Sequence, residues 1–194
     1  SYGFRPNRSP HQALGEIDRV IMTKPVKWIV DMDIERYFDS VPHDWLMKSL
    51  GVRIQDPSLM RLVARFLKSG VMEDGKLEAA EIGTPQGGNL SPVISNIFLH
   101  YVLDLWFEKK VKPTLKGYSK YCRFADDFVV CFERREEAEA FGVYLRERLA
   151  KFGLKVSEKK SRIIEFGRTA WKKYHQSTDG VRALHLTKLF FKSL

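Results

Sequence analysis

The chain has 194 residues, which is long enough for one domain with a substantial core. Its 44% hydrophobic and 12% aromatic residues exclude a disordered chain, and its two cysteines exclude a disulfide scaffold and a four-cysteine zinc site. No apolar run approaches the roughly 20 residues that cross a bilayer, so we expect no membrane partner. We find no signal peptide and expect the cytoplasm, and a start at Ser1 rather than Met indicates a piece of a longer protein.

Positive charge is concentrated at the two ends of the sequence. Overall, 33 Lys and Arg against 24 Asp and Glu give a net charge of +9. The local balance is +3 over residues 1–30, −2 over residues 31–150 and +8 over residues 151–194. This distribution predicts an anionic partner held at the edges, most often nucleic acid, although a solvated basic tail gives the same count.

The hydrophobic pattern predicts alternating strands and helices along the chain. In chain order these are a buried strand at 27–34 (KWIVDMDI), helices at about 40–50 and 57–68, a hairpin at 71–82 turning at Asp74-Gly75, a helix at 91–109, two strands within 121–132, an amphipathic helix at 136–152 and a strand at 160–166.

This order, β-α-α-ββ-α-ββ-α-β, approximates a split βαββαβ arrangement once the small hairpin is left out. It predicts an α+β, ferredoxin-like fold with an antiparallel sheet and helices on one face.

Acidic residues interrupt the two strand segments that should lie at the centre of this sheet. Asp31 and Asp33 point to one face of the first strand, and Asp126 and Asp127 occupy the tip of an apolar hairpin. Converging carboxylates repel one another unless a hard cation lies between them, so the pattern predicts a site for Mg²⁺, with Mn²⁺ as the alternative. Taken singly, each Asp is more often a turn or capping residue.

A glycine-rich loop at 83–92 (GTPQGGNLSP) precedes the long helix. Its glycines allow close approach of a ligand, Gln86 offers donors and acceptors, and the following helix N-terminus attracts anions. An ordinary tight loop leading into a helix is an equally good interpretation.

Five motifs in this order and spacing resemble the reverse transcriptases of group II introns, the reverse transcriptase/maturase proteins. They are SYGFRPNRSPHQAL, DMDIERYFDSVPHDWL, GTPQGGNLSPVISNIFL, YCRFADDFVV and FGLKVSEKKSRIIEFGR, and together they cover about residues 1–168. The resemblance implies a polymerase palm at 27–168, the end of a fingers region at 1–26 and a divergent basic tail at 169–194 in place of the palm-to-thumb segment.

The resemblance also implies RNA-directed DNA polymerase activity by two-metal nucleotidyl transfer. It makes Asp33, Asp126 and Asp127 the catalytic, metal-binding carboxylates, with Asp31 competing for the first role. The partners implied are an RNA template, a DNA primer and deoxynucleoside triphosphates, with intron RNA as a further candidate.

Other residues acquire roles only through the resemblance. Phe38 would contact the sugar 2′ position and exclude ribonucleotides, and Gln86 with Gly87 would line the nucleotide pocket. Lys159 would reach a nucleotide phosphate. Contacts to nucleic acid are expected at Arg5, Arg8 and Lys160.

The sequence departs from the family pattern in two places. The active-site hairpin reads FADD where Tyr-Ala-Asp-Asp is usual, and no matching primer-gripping segment follows residue 168. We therefore expect the isolated chain to be weakly active or inactive. The alternatives are an RNA-binding maturase remnant, a retron or defence-type reverse transcriptase, and another palm enzyme such as a cyclase or primase.

Cys122 and Cys131 would face each other across a hairpin that turns at Asp126-Asp127. Buried free thiols are favoured over a cross-strand disulfide.

Overall fold

The strand predicted at 27–34 forms the centre of an antiparallel sheet. The computed structural model describes residues 1–68, 71–73, 76–78 and 90–166. The helices are α1 (Pro10–Thr23), α2 (Tyr37–Ser40), α3 (His43–Gly51), α4 (Pro57–Lys68), α5 (Leu90–Thr114) and α6 (Arg135–Ala150). The strands are β1 (Trp28–Met32), β2 (Val71–Glu73), β3 (Lys76–Glu78), β4 (Ser119–Phe124), β5 (Asp127–Phe132) and β6 (Arg162–Glu165).

Four strands form one sheet in the order β4-β5-β1-β6, and every neighbouring pair is antiparallel. Strand β1 therefore lies between β5 and β6, as the split βαββαβ order requires. The β2–β3 hairpin pairs separately, with Glu73 opposite Lys76, while the predicted turn residues Asp74 and Gly75 lie outside the described residues. The α+β palm fold predicted from the sequence is confirmed.

One face of the sheet forms the main core with α3, α4, α5 and α6. Alternate residues of β1 and β5 point to this face, because side chains along a strand change sides at every residue. The predicted apolar stripe of α6 covers it. Members of this core include Val30, Val130, Phe132, Phe141 and Leu145.

Helix α1 covers part of the opposite face, where the sequence pattern gave no helix. Ala13 and Ile17 pack against Cys122 of β4, and Val20 packs with Ile29 and Val129. A capping box begins the helix: the Ser9 hydroxyl accepts from the Gln12 N–H, and the Gln12 side chain accepts from the Ser9 N–H. Residues of the expected fingers region thus lie directly against the palm sheet.

Helix α5 extends five residues beyond the predicted end at 109. It continues through π-helical turns at His100–Asp104 and Phe107–Val111 into a final 3₁₀ turn, Lys112–Thr114. By length and composition this helix could span a membrane, although the sequence showed no apolar run of that length. Half of its most apolar stretch is buried inside the protein.

The β4–β5 turn is displaced by one residue from its predicted position. Phe124 pairs with Asp127, so the two turn residues are Ala125 and Asp126, and Asp127 begins β5. The prediction that Cys122 faces Cys131 is therefore wrong: Cys122 pairs with Val129, and Cys131 with Lys120. Both cysteines are free, buried thiols, as the favoured interpretation held.

Candidate active site

The last residues of β1 and the β4–β5 turn lie at the same end of the sheet. The β1–β5 register ends at Met32 opposite Phe128, and one further step along it leads to Asp33 and Asp127. Asp126 interacts electrostatically with Asp33. Burial raises the pKa of Asp126, and the charge of Asp33 raises it further. The backbone hydrogen bond of Asp126 and the positive charges of Arg123 and Lys160 lower it, but less. The structure therefore places the predicted Asp33 within electrostatic range of Asp126.

Asp31 lies on the same face of β1 but within the sheet. Arg162, its neighbour on β6, places Nε 3.7 Å from Asp31 Oδ2. Burial raises the pKa of Asp31 to about 6; Arg162 opposes the rise and Asp33 increases it. Asp31 is thus paired with an arginine of the neighbouring strand, whereas Asp33 is the carboxylate that lies at the end of the sheet next to the turn.

Backbone hydrogen bonds hold Asp33, just after β1, against the loop that precedes β6. The Asp33 N–H donates to Ser161 Oγ at 3.3 Å, and the Ser157 N–H donates to the Asp33 carbonyl oxygen at 2.8 Å. These bonds bring Lys160 over the carboxylates, with Nζ 3.2 Å from Asp33 Oδ2. A 72% exposed lysine beside a carboxylate is easily displaced, because exposed ion pairs contribute little free energy.

The carboxylates do not form a closed cage. In the described ranges, no group of three or more His, Cys, Asp or Glu side chains is arranged to hold a metal ion. The predicted convergence of Asp33, Asp126 and Asp127 is thus only partly assembled. The donor set nevertheless suits a hard divalent cation, because it offers carboxylate oxygens and because a cation would relieve the repulsion between Asp33 and Asp126.

Phe38 lies in the short helix α2 that follows β1. Arg36, with φ of 44°, turns the chain into this helix. The adjacent Tyr37 is buried, and its hydroxyl donates to the Ser95 carbonyl oxygen of α5 at 2.9 Å. The rings of Tyr37 and Phe38 meet edge to face at 5.2 Å, so a fixed neighbour supports the half-buried Phe38.

The remaining predicted residues have different outcomes. Lys159 is exposed in the loop beside Lys160. Arg5 and Arg8 are exposed and lie together at a cavity of about 270 Å³, with Arg8 stacked 5.3 Å from the Tyr2 ring. Gln86 and Gly87 lie outside the described residues.

Arg123, which the sequence did not single out, is fully buried behind the turn. Its Nε and Nη2 donate to the two oxygens of Asp104 at 2.7 Å each. Its Nη1 donates to Asn96 Oδ1 and to the Ala125 carbonyl oxygen, each at 2.6 Å. A charged residue in an apolar strand three positions before Asp126 was the available signal, because a buried charge requires partners.

Comparison with known proteins assigns the family. Residues 1–184 match the family model described as reverse transcriptase (RNA-dependent DNA polymerase). The chain is 34% identical over 158 residues to protein YkfC of Escherichia coli K12, covering 67% of this chain and 42% of that protein. It is 38% identical over 112 residues to the group II intron-encoded protein LtrA of Lactococcus lactis, covering 58% of this chain and 18% of LtrA.

The chain thus spans less than half the length of these curated relatives. Among solved structures, apo telomerase from Candida tropicalis matches with a TM-score of 0.63 at 15% identity, over 82% of this chain and 32% of that one. Telomerase from Candida albicans in complex with a fragment of telomeric RNA matches with a TM-score of 0.60 at 13% identity, over 87% and 31%. At these identities the structures support the fold alone. With almost its whole length matched by the family model, the chain belongs to the reverse transcriptase (RNA-dependent DNA polymerase) family.

Proposed function

We propose that this chain supplies the catalytic palm of an RNA-directed DNA polymerase of the group II intron-encoded type. The observation that carries the proposal is the meeting of Asp33, at the end of β1, with Asp126 in the β4–β5 turn. Two elements distant in sequence place acidic side chains at one end of the sheet. Like charges placed this way fit a role in binding a divalent cation.

The three carboxylates Asp33, Asp126 and Asp127 would hold Mg²⁺, with Mn²⁺ as a substitute. When bound, such ions supply the charge that activates a primer 3′-hydroxyl and stabilises a leaving pyrophosphate. The finer roles rest on the family resemblance. Phe38, supported by Tyr37, would contact the sugar and disfavour ribonucleotides.

Cationic residues around the carboxylates would neutralise the phosphates of the substrates. Lys160 is within 3.2 Å of Asp33, and the same loop carries Lys159. Lysine binds phosphate as a point charge on a flexible side chain. Lys160 could therefore leave the Asp33 carboxylate and bind a triphosphate instead. Arg5 and Arg8 would contact the template backbone through charge, without reading its sequence.

A single-turnover experiment tests the proposal. An excess of the chain is incubated with an RNA template, a labelled DNA primer, Mg²⁺ and each deoxynucleoside triphosphate in turn. We expect slow addition of the nucleotide that is complementary to the template. Asp126→Asn should reduce this addition on the order of 100-fold or more, because several kcal/mol of charge stabilisation are lost.

The matched control is Asp18→Asn, which makes the same chemical change at an exposed position of α1. It should leave the rate unchanged. Equal rates for the wild type and Asp126→Asn, or addition that ignores the template, would contradict the proposal. Salt-dependent RNA binding without any nucleotide addition would identify an RNA-binding remnant instead, a function that the net charge of +9 also favours.

A further inference from the structure

The side chain of Arg123 is fully buried between β4 and α5. A buried charge without partners is strongly destabilising, and here every side of the guanidinium has a partner. Both oxygens of Asp104 accept from it in a bidentate pair, and Asn96 accepts a third hydrogen bond. Asn96 and Asp104 lie eight residues apart on α5 and both face Arg123. Arg123 thus fastens β4 to the long buried helix.

The fourth hydrogen bond of Arg123 reaches the turn that carries Asp126. Nη1 donates to the carbonyl oxygen of Ala125 at 2.6 Å. Ala125 has φ of 55°, a left-handed conformation that costs energy for a residue with a Cβ atom. A charge-assisted hydrogen bond to its carbonyl group offsets this cost and fixes the peptide plane that leads into Asp126.

The N-terminal segment closes over the same turn from outside. The Gly3 carbonyl oxygen accepts from Asn96 Nδ2 at 2.6 Å, and the Tyr2 N–H donates to the Arg123 carbonyl oxygen at 2.8 Å. A Cβ atom at Gly3 would lie 2.3 Å from the Ala125 backbone nitrogen, so only glycine permits this approach. Asn96 therefore contacts both the arginine and the segment that covers the turn.

We propose that Arg123 is a positioning residue for the acidic turn. Gly3, held by its hydrogen bond from Asn96, supports the same turn from outside, so that Arg123, Asn96 and Gly3 form a clamp on it. Together they hold Ala125 in its left-handed conformation and so present Asp126 towards Asp33. The inference rests on the proposed function for the nature of the bound ion, a divalent cation. It assigns the Gly of the SYGFRP motif to the geometry of the turn, whereas the resemblance assigned that region to the fingers.

The sharpest variant is Gly3→Ala, because it disturbs the turn from outside without removing a core side chain. Gly15→Ala is the matched control: it makes the same change in α1, where a Cβ atom would meet nothing within 4 Å. Two quantities are measured on the folded chain. One is the Kd for Mn²⁺, from electron paramagnetic resonance titration, and the other is hydrogen exchange of the backbone amides of the turn.

We expect Gly3→Ala to weaken Mn²⁺ binding on the order of tenfold or more, the usual effect of losing the support of a metal ligand. It should also speed amide exchange at Ala125 to Asp127. Gly15→Ala should leave both quantities at their wild-type values. Arg123→Lys should weaken Mn²⁺ binding more and lower Tm as well, because a lysine cannot reproduce the planar fork.

Unchanged Mn²⁺ binding and unchanged turn exchange in Gly3→Ala would overturn the inference. A wild-type chain whose Mn²⁺ binding is indifferent to Asp126→Asn would instead overturn the metal assignment of the proposed function. In that case the exchange measurement alone would test the clamp, because it requires no bound ion.

Discussion

Asp31 lies within β1 and Asp33 just beyond its end, and the surroundings of the two carboxylates differ. Asp31 is paired with Arg162 of the neighbouring strand. Asp33 lies just beyond the end of β1, next to the turn that carries Asp126, and its cationic partner is the exposed Lys160. The sequence alone left both as candidates for the first metal ligand, because alternation places them on the same face. The register of the strands separates them.

We predict different effects for Asp33→Asn and Asp31→Asn in the single-turnover assay. Asp33→Asn should reduce nucleotide addition on the order of 100-fold or more, since it removes a charge from the proposed metal site. Asp31→Asn should have a much smaller effect, because it only leaves Arg162 without its partner at the partly exposed edge. A rate abolished by Asp31→Asn and retained by Asp33→Asn would reverse the assignment.

The two thiols give a prediction that is independent of catalysis. Burial raises the pKa of Cys122 and the pKa of Cys131 to about 12 each. Because only the thiolate is reactive, a thiol reagent near neutral pH should modify neither residue in the folded chain and both after unfolding. Rapid modification of the folded chain would contradict the burial of β4 and β5 against α1.

The same shifts predict how stability changes with pH. The pKa of both thiols is higher in the folded than in the unfolded chain, so the folded state binds these protons more tightly. Their contribution to stability is complete below about pH 9 and is lost as the pH rises towards 12. Urea unfolding across this range should show the loss, and the combined Cys122→Ala and Cys131→Ala variant should show less of it.

Helix α1 is the helix that the sequence pattern did not predict, and its capping box gives a stability prediction. We expect Ser9→Ala to lower the free energy of unfolding by about 1 kcal/mol, the usual cost of removing an N-cap hydroxyl. Gln12→Ala should remove the reciprocal bond of the box and cost less. Both effects are measured by urea unfolding, and an unfolding free energy unaltered by Ser9→Ala would show that α1 contributes nothing to the cooperative fold.

The sequence predicted the elements whose hydrophobic period is regular. The apolar stripe of α6 and the buried strand β1 were both recovered, as was the pairing of β2 with β3. Helix α1 was missed because its buried side chains are few, and its capping box was the readable signal. The β4–β5 turn was misplaced by one residue because Asp is common in turns, whereas Ala with positive φ is rare.

The clamp on that turn explains why local rules failed there. Ala125 takes its left-handed conformation because Arg123, from the strand, and Gly3, from a distant segment, hold it there. A conformation fixed by tertiary contacts leaves little trace in local sequence preference. In the same way, the sequence predicted three carboxylates at this site but gave no sign of the arginine behind the turn.

For the molecule as a whole, the uneven charge predicts how RNA binds. Basic residues outside the acidic centre should contact phosphates, so binding should weaken steeply with salt. The combined Arg5→Gln and Arg8→Gln variant should lower the slope of log K against log salt by about 1 to 2. The matched control, Arg53→Gln with Arg61→Gln, removes two exposed charges elsewhere, and an equal change in slope would show that the first pair has no special role.

If Asp33, Asp126 and Asp127 hold one divalent cation, iron-directed cleavage should locate it. Fe²⁺ replaces Mg²⁺, and ascorbate then generates radicals that cut the backbone next to the bound ion. We predict cuts near residue 33 and near residues 126–127, suppressed by excess Mg²⁺ and lost in Asp126→Asn but retained in Asp18→Asn. Cuts elsewhere in the chain, or the same cuts in Asp126→Asn, would contradict the assignment.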